Sequence, residues 1–328
     1  MTLTADAATT ATAHAEVTQP EPLQTTYRPA HRLNLFRTVG VLMRGPKDPA
    51  MLVDGSTLWR AARTPSGVAT LALRQSSHGV HATAWGPGAG WVLTQLPRLC
   101  GADDDATGFD AATLSAAGHP LLADVARRTA GTRLTRTDLV FDALASAVIE
   151  QKVTSYQAFG AWRVLITRFG ERAPGPTPRP MFAPPTIEGW RRIPSWAWHR
   201  AGVEPPQSRA IVRAADRGQR IADAVLAAPT GTDRDRVLTS LPGVGTWTAA
   251  ETRVRALGDP DAVSVGDYHL AHQVGFALTG ARVDDDGMLE LLAPWTGHRQ
   301  RVIRLILASG LIEPRRGPRL APEDHRSR

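Results

Sequence analysis

The chain of 328 residues contains a single cysteine, Cys100, and only two lysines, Lys47 and Lys152. One thiol excludes an internal disulfide and any four-cysteine zinc or iron–sulfur site. A chain without disulfides fits a reducing compartment, and a cytoplasmic location is expected. The scarcity of lysine leaves few amines for covalent catalysis. No run of 18 or more apolar residues occurs, so a membrane-spanning helix is not expected. The first 26 residues are rich in alanine and threonine. They lack the basic start and long apolar stretch of a secretory signal and are read as a disordered tail. The polar, proline-containing residues 313–328 are read as a second one.

What the chain does have is a globular composition, 42% hydrophobic and 21% charged, with a net charge of +7. A length in this range accommodates two or three compact units. The positive balance favours a polyanionic partner, nucleic acid being the commonest, against the plainer alternative of a merely basic enzyme. Nearly all the basic residues are arginines. A genome-composition effect suffices to explain that bias, so it is not taken as recognition chemistry.

Residues 27–112 show short apolar runs punctuated by Gly, Ser and Pro, such as Gly67–Leu73 and Gly79–Trp85. They read as an amino-terminal α+β domain built on an antiparallel sheet, with one helix between Pro49 and Arg60. From about Ala111 the period becomes helical. Phe141, Leu144, Val148, Tyr156, Phe159, Trp162, Leu165, Ile166 and Phe169 recur mostly at steps of three and four. After a Pro-rich connection, Ala173–Pro185, helices are expected near Ser208–Leu226, Asp233–Leu241, Trp247–Leu257, Tyr268–Leu278, Asp286–Leu292 and His298–Ser309. The body, residues 113–312, is therefore mostly α.

The most specific segment is Leu241-Pro242-Gly243-Val244-Gly245-Thr246-Trp247-Thr248. Helical patterning stops at Leu241 and resumes after Gly245. Two glycines supply the positive φ that so tight a turn requires, and they keep side chains away from the backbone amides. The following helix then offers unpaired N–H groups and its positive dipole end to a phosphate. A plain Gly-rich turn is the alternative. The segment Gly266-Asp267 before an apolar-periodic run reads, on spacing alone, as a helix N-cap. His269 and His272 are three apart but no third ligand has suitable spacing, so a metal held by side chains is not expected. The acidic runs Asp103–Asp105 and Asp284–Asp286 read as solvated loops or helix starts.

The Leu-Pro-Gly-Val-Gly string, followed about one helix later by Val263-Ser264-Val265-Gly266-Asp267-Tyr268-His269, resembles the helix-hairpin-helix (HhH-GPD) DNA glycosylase superfamily. Upstream, Ile149-Glu150-Gln151-Lys152-Val153 is similar to the helix end that approaches the lesion. The overall arrangement resembles the bacterial 3-methyladenine DNA glycosylase II type. The resemblance implies a monomer acting on damaged double-stranded DNA without an obligate protein partner, and Asp267 as the catalytic carboxylate. It also implies Trp247, Glu251 and Trp295 as base-pocket residues. DNA contacts would come from Leu241, Gly243, Val244, Gly245, Thr246, Thr248, Gln151 and Lys152. No organic cofactor is implied, but a monovalent cation, Na⁺ or K⁺, fits the main-chain carbonyls of Thr239, Leu241 and Val244. Relatives that also cut the strand carry a lysine where this chain has Trp247, which implies hydrolysis without a lyase step. The glutamate used by adenine-removing relatives would fall near Ser146 or Ala147, which speaks against that activity.

Three departures bear on substrate. Glu251 stands where an aromatic residue is usual, and either donates a proton to a neutral base or pairs with an arginine on the surface. Lys152 replaces an apolar wedge, and Gly266 replaces a second acidic residue. A glycosylase for oxidised or deaminated bases, and a damaged-DNA-binding protein without catalysis, remain alternatives to removal of alkylated purines.

Overall fold

The computed structural model describes residues 21–311. Its amino-terminal part is a five-stranded antiparallel sheet of β1 (Leu23–Tyr27), β2 (Met51–Asp54), β3 (Thr57–Thr64), β4 (Gly67–Ser76) and β5 (Gly79–Trp85), in the order β1-β5-β4-β3-β2. Helix α1 (Leu35–Val39) and the longer α2 (Ala89–Leu99) cover it. Val80, Ala82 and Ala84 alternate along β5 and share one core with Val92, Leu96 and Leu99 of α2, the period of two expected of a half-buried strand. Two expectations fail here. The helix proposed between Pro49 and Arg60 is the β2–β3 hairpin: Asp54 pairs with Thr57 across Gly55, whose φ of +55° builds a two-residue turn that ends any helical pattern. The expected tail also reached too far, because Leu23–Tyr27 pairs with β5 from Ala84 back to Val80. Residues 1–20 and the expected second tail, 313–328, lie outside the described residues.

The remainder is helical. First come α3 (Ala111–Ala116), α4 (Pro120–Arg128), α5 (Val140–Ile149) and α6 (Ser155–Phe169). After the short pair β6 (Glu171–Arg172) and β7 (Phe182–Ala183) follow α7 (Ile187–Arg192), α8 (Ser195–Ala201), α9 (Pro205–Arg217), α10 (Gln219–Ala227), α11 (Gly231–Thr239), α12 (Thr246–Leu257), α13 (Leu270–Thr279), α14 (Asp285–Leu292) and α15 (Arg299–Ala308). The single helix expected over Ser208–Leu226 is two, broken at Gly218 with φ +61° and ψ −145°. One helical core joins α5, α6, α8, α9 and α12 around Trp162, Trp190 and Trp198, with Trp190 and Trp198 stacked at 5.8 Å. The other joins α3 and α4 to α13, α14 and α15 through Leu122, Val125, Val274, Met288, Val302 and Ile306.

The Pro-rich connection is no loose linker. Met181 and Ala183 are buried with Leu52, Ala61 and Val68 of the sheet, and Phe182 N donates to Pro49 O at 2.9 Å. It fastens the sheet to the helical body. Asp104, in an acidic run expected to be solvated, is instead buried between Arg301 and Arg133, whereas Asp284 caps α14 as a helix start.

Candidate active site

The hairpin runs from the end of α11 through residues 240–245 into α12. Leu241 and Val244 turn their side chains into the core, and Val244 N donates to Leu241 O at 3.0 Å. Anything these two residues offer outward is therefore main chain. The two glycines divide the expected duties, positive φ at one and an open approach to the amides at the other. Gly243 has φ +93°, and a Cβ there would stand 2.8 Å from Ala210 Cβ of α9. Gly245 is extended (φ −98°, ψ −176°) with open space around it. Its lack of a side chain serves approach from outside. It begins α12 without a side-chain cap, which leaves the first N–H groups of that helix for an external acceptor.

Gln151 reaches this turn from the loop between α5 and α6. Its Nε2 donates to Gly243 O at 2.9 Å and to Thr248 Oγ1 at 2.7 Å. Thr248, expected to touch DNA, is thus buried with its hydroxyl turned to Gln151, while Thr246 is exposed. Lys152 is exposed at the loop's tip with φ +55°.

Asp267 is held at both of its carboxylate oxygens. Its Oδ1 accepts from His269 N and Leu270 N, both at 2.9 Å, and so caps the start of α13. Its Oδ2 accepts from the Trp247 indole Nε1 at 3.0 Å. Gly266 makes the bend with φ +87° while its N–H donates to Asp285 Oδ2 at 3.0 Å, and Asp267 N returns to Ser264 O at 3.2 Å. The carboxylate, the half-buried indole and the hairpin therefore meet at the first turn of α12.

Glu251 and Trp295, both expected at the base pocket, have these partners. Of the two readings left open for Glu251, the arginine partner is the one present, though inside the protein and not on its surface: the carboxylate engages Arg255 and the hydroxyl of Ser264. Burial works against its charge, but Arg255, Ser264 and Arg44 outweigh it and hold the carboxyl below its ordinary range. A group so held is a poor proton donor near neutrality. Trp295 packs edge-on against Phe109 at 6.0 Å and His119 at 5.4 Å. It borders the α13–α15 core, and neither of these ring contacts joins it to Trp247 or Asp267.

Sequence reasoning missed four residues behind the site. Glu150 forms an ion pair with Arg44 Nε at 3.1 Å and accepts from Arg255 Nη2 at 3.2 Å. Arg44 also donates to Ser146 Oγ at 2.6 Å; burial and the neighbouring Arg255 bring its guanidinium down to about 10 despite Glu150 and Asp48. For Arg255, burial is outweighed by Glu251 and Glu150, and its value is raised. Glu150 and Ser264 lay inside recognised motifs, but without a role; Arg44 and Arg255 lay in none. Arg44 and Glu150 are separated by more than a hundred positions, so no periodicity connects them.

Main-chain oxygens carry two lone pairs each, and Leu241 O spends one on Val244, so the three carbonyls at Thr239, Leu241 and Val244 retain donor capacity for a monovalent ion. Among the described residues no cluster of three His, Cys, Asp or Glu side chains is arranged to hold a metal. Two cavities, one of about 430 Å³ beside Met43, Val53 and Arg179 and one of about 60 Å³ around Asp48, Arg60 and Asp142, lie away from Asp267.

The backbone is similar to that of a 3-methyladenine DNA glycosylase from Archaeoglobus fulgidus, with a TM-score of 0.70 and 17% identity over 88% of this chain and 98% of that one. The fold is that of the helix-hairpin-helix DNA glycosylases. An 8-oxoguanine glycosylase/lyase from Clostridium acetobutylicum shares the glycosylase fold at a TM-score of 0.68 and 12% identity, covering 88% of this chain and 96% of that one. The same enzyme with double-stranded DNA aligns at 0.63 and 13% over 87% and 96%. No family model and no curated protein matches the chain. The glycosylase fold is thus carried on a sequence that differs widely from those of these neighbours, and the chain covers nearly their whole length.

Proposed function

We propose that the chain is a monofunctional DNA N-glycosylase that extrudes alkylated purines of the 3-methyladenine type from duplex DNA and hydrolyses the bond to the sugar. The observation that carries this reading is the bond from Trp247 to Asp267 Oδ2 at 3.0 Å, made at the helix start directly behind a glycine hairpin. That hairpin offers main-chain donors to a strand phosphate, which fixes position without reading sequence.

Breaking an N-glycosidic bond develops positive charge on the sugar. A fixed carboxylate beside C1′ stabilises that charge and orients the attacking water. At ~4 Å and an effective dielectric of ~20 one such pair is worth about 4 kcal/mol, nearly three decades of rate. The face of Trp247 suits a cationic alkylated base, with an attraction of about 0.5–2 kcal/mol. With tryptophan at the position of the strand-cutting lysine, water is the final nucleophile. A cation on the hairpin carbonyls would add charge toward the phosphate.

The test is release of free base from methylated duplex. Wild-type protein is expected to release 3-methyladenine, and Asp267→Asn to release it about a thousandfold more slowly. Unchanged release by Asp267→Asn refutes the assignment. In a panel of single-lesion duplexes, preference for 8-oxoguanine or hypoxanthine would overturn the substrate class, and borohydride trapping with strand nicking would overturn the monofunctional reading.

A further inference from the structure

The two loops that meet the hairpin are joined behind it by a chain of buried polar contacts. Glu150 ends α5 and immediately precedes Gln151, whose amide grips Gly243 and Thr248. From Glu150 the chain passes through Arg255 to Glu251, one turn earlier on α12, and from Glu251 to the hydroxyl of Ser264. The carbonyl of the same Ser264 accepts the amide of Asp267. At the far end Arg44, from the amino-terminal unit, closes on Glu150. The side chains of Arg44, Glu150, Arg255 and Glu251 are 7%, 16%, 16% and 18% exposed. Two cations and two anions balance, which is the condition for keeping charges in so dry a place.

Because Arg44, Glu150, the Glu251–Arg255 pair of α12 and Ser264 lie on four different segments, the contacts fix a distance that α12 alone does not. Trp247 holds Asp267 by one oxygen from the front, and Glu251 holds its loop from behind, four residues further along the same helix. We infer that Glu251 and Arg255 are positioning residues that set the Asp267 loop against the Gln151 loop, and so govern the rate of bond cleavage more than the affinity for DNA. This rests on the reading that Asp267 carries the chemistry. Cleavage responds steeply to displacement of a reacting group by an ångström, whereas phosphate contacts at the hairpin do not pass through Glu251.

The test compares Glu251→Gln, which keeps shape but removes charge, with Ser264→Ala, which cuts the last link and leaves all three ion pairs intact. Ser264→Thr restores a hydroxyl. Two measurements are made on the full chain: hydrogen exchange of the amides of residues 264–270 without DNA, and single-turnover base release beside the Kd for a duplex carrying a tetrahydrofuran abasic analogue. Glu251→Gln and Ser264→Ala are expected to speed exchange at residues 264–270 about tenfold, with β4 and β5 unchanged. Their single-turnover rate is expected to fall about tenfold while Kd stays within about twofold, and Ser264→Thr to recover both. Exchange at residues 264–270 unaltered in both variants overturns the inference. So does a rate that falls in step with affinity and melting temperature. If wild-type protein releases no methylated base, the proposed substrate class fails alone, and the exchange measurement still decides whether the brace exists.

Discussion

A carboxylate that caps a helix with one oxygen has one oxygen left for anything else. In Asp267 the remaining one, Oδ2, is claimed by the indole N–H of Trp247, which aligns the group without cancelling its charge, since the indole is a neutral donor. Three substitutions separate these duties. Asp267→Asn keeps an acceptor at Oδ1 for His269 N and Leu270 N but turns an N–H₂ group toward the Trp247 indole, so it should stay folded while base release collapses. Asp267→Ala should lose the cap as well, about 1 kcal/mol, visible as a lowering of the melting temperature by about 2–4 °C. Trp247→Phe preserves an aromatic wall but deletes the donor. Single-turnover release should then fall about 10- to 100-fold, the value of a hydrogen bond to a charged acceptor; release at the wild-type rate would mean the indole does not hold the carboxylate.

The hairpin was legible as an element because its requirements are contiguous: a helix end, two glycines and a helix start within nine residues. The different duties of those glycines were not, because they depend on what stands opposite. Gly243 faces Ala210 and has φ +93°, while Gly245 faces open space in ordinary extended backbone. Gly243→Ala should therefore destabilise the fold by about 2 kcal/mol, combining strain with a clash. Gly245→Ala should melt as wild type yet bind duplex DNA about tenfold more weakly, because its methyl stands between phosphate and amides. Equal behaviour of the two variants in melting and in DNA titration would contradict this division. The same dependence on the surroundings explains the failed helix between Pro49 and Arg60, where a turn glycine and pairing with β4 outweighed local pattern. The ring contacts of Trp295 were illegible for a related reason: Phe109 and His119 arrive from distant segments.

Across the whole molecule, the least legible features are charges placed where the amino-terminal unit meets the helical body, because their partners are far apart in sequence. Asp142 on α5 is an example. It lines the small cavity with Arg60 and Asp48, and burial pushes its carboxyl up to about 7 against the pull of Arg60 and Arg63. The ordinary value is about 4. Between those two limits the folded protein holds a proton that the unfolded chain has released, so stability is lost as pH rises from about 4 to about 7. Below about pH 4 both states are protonated and the group costs nothing; above about pH 7 the cost is complete. Asp142→Asn removes the ionisation while keeping a similar shape. Chemical denaturation should find the variant equal to wild type near pH 4 and more stable by about 2 kcal/mol at pH 8, after allowance for solvent reaching a half-buried group. A stability difference that is constant over this range, or one that favours wild type at pH 8, would show that Arg60 and Arg63 neutralise the carboxylate fully and that the interface between the two units carries no strained charge.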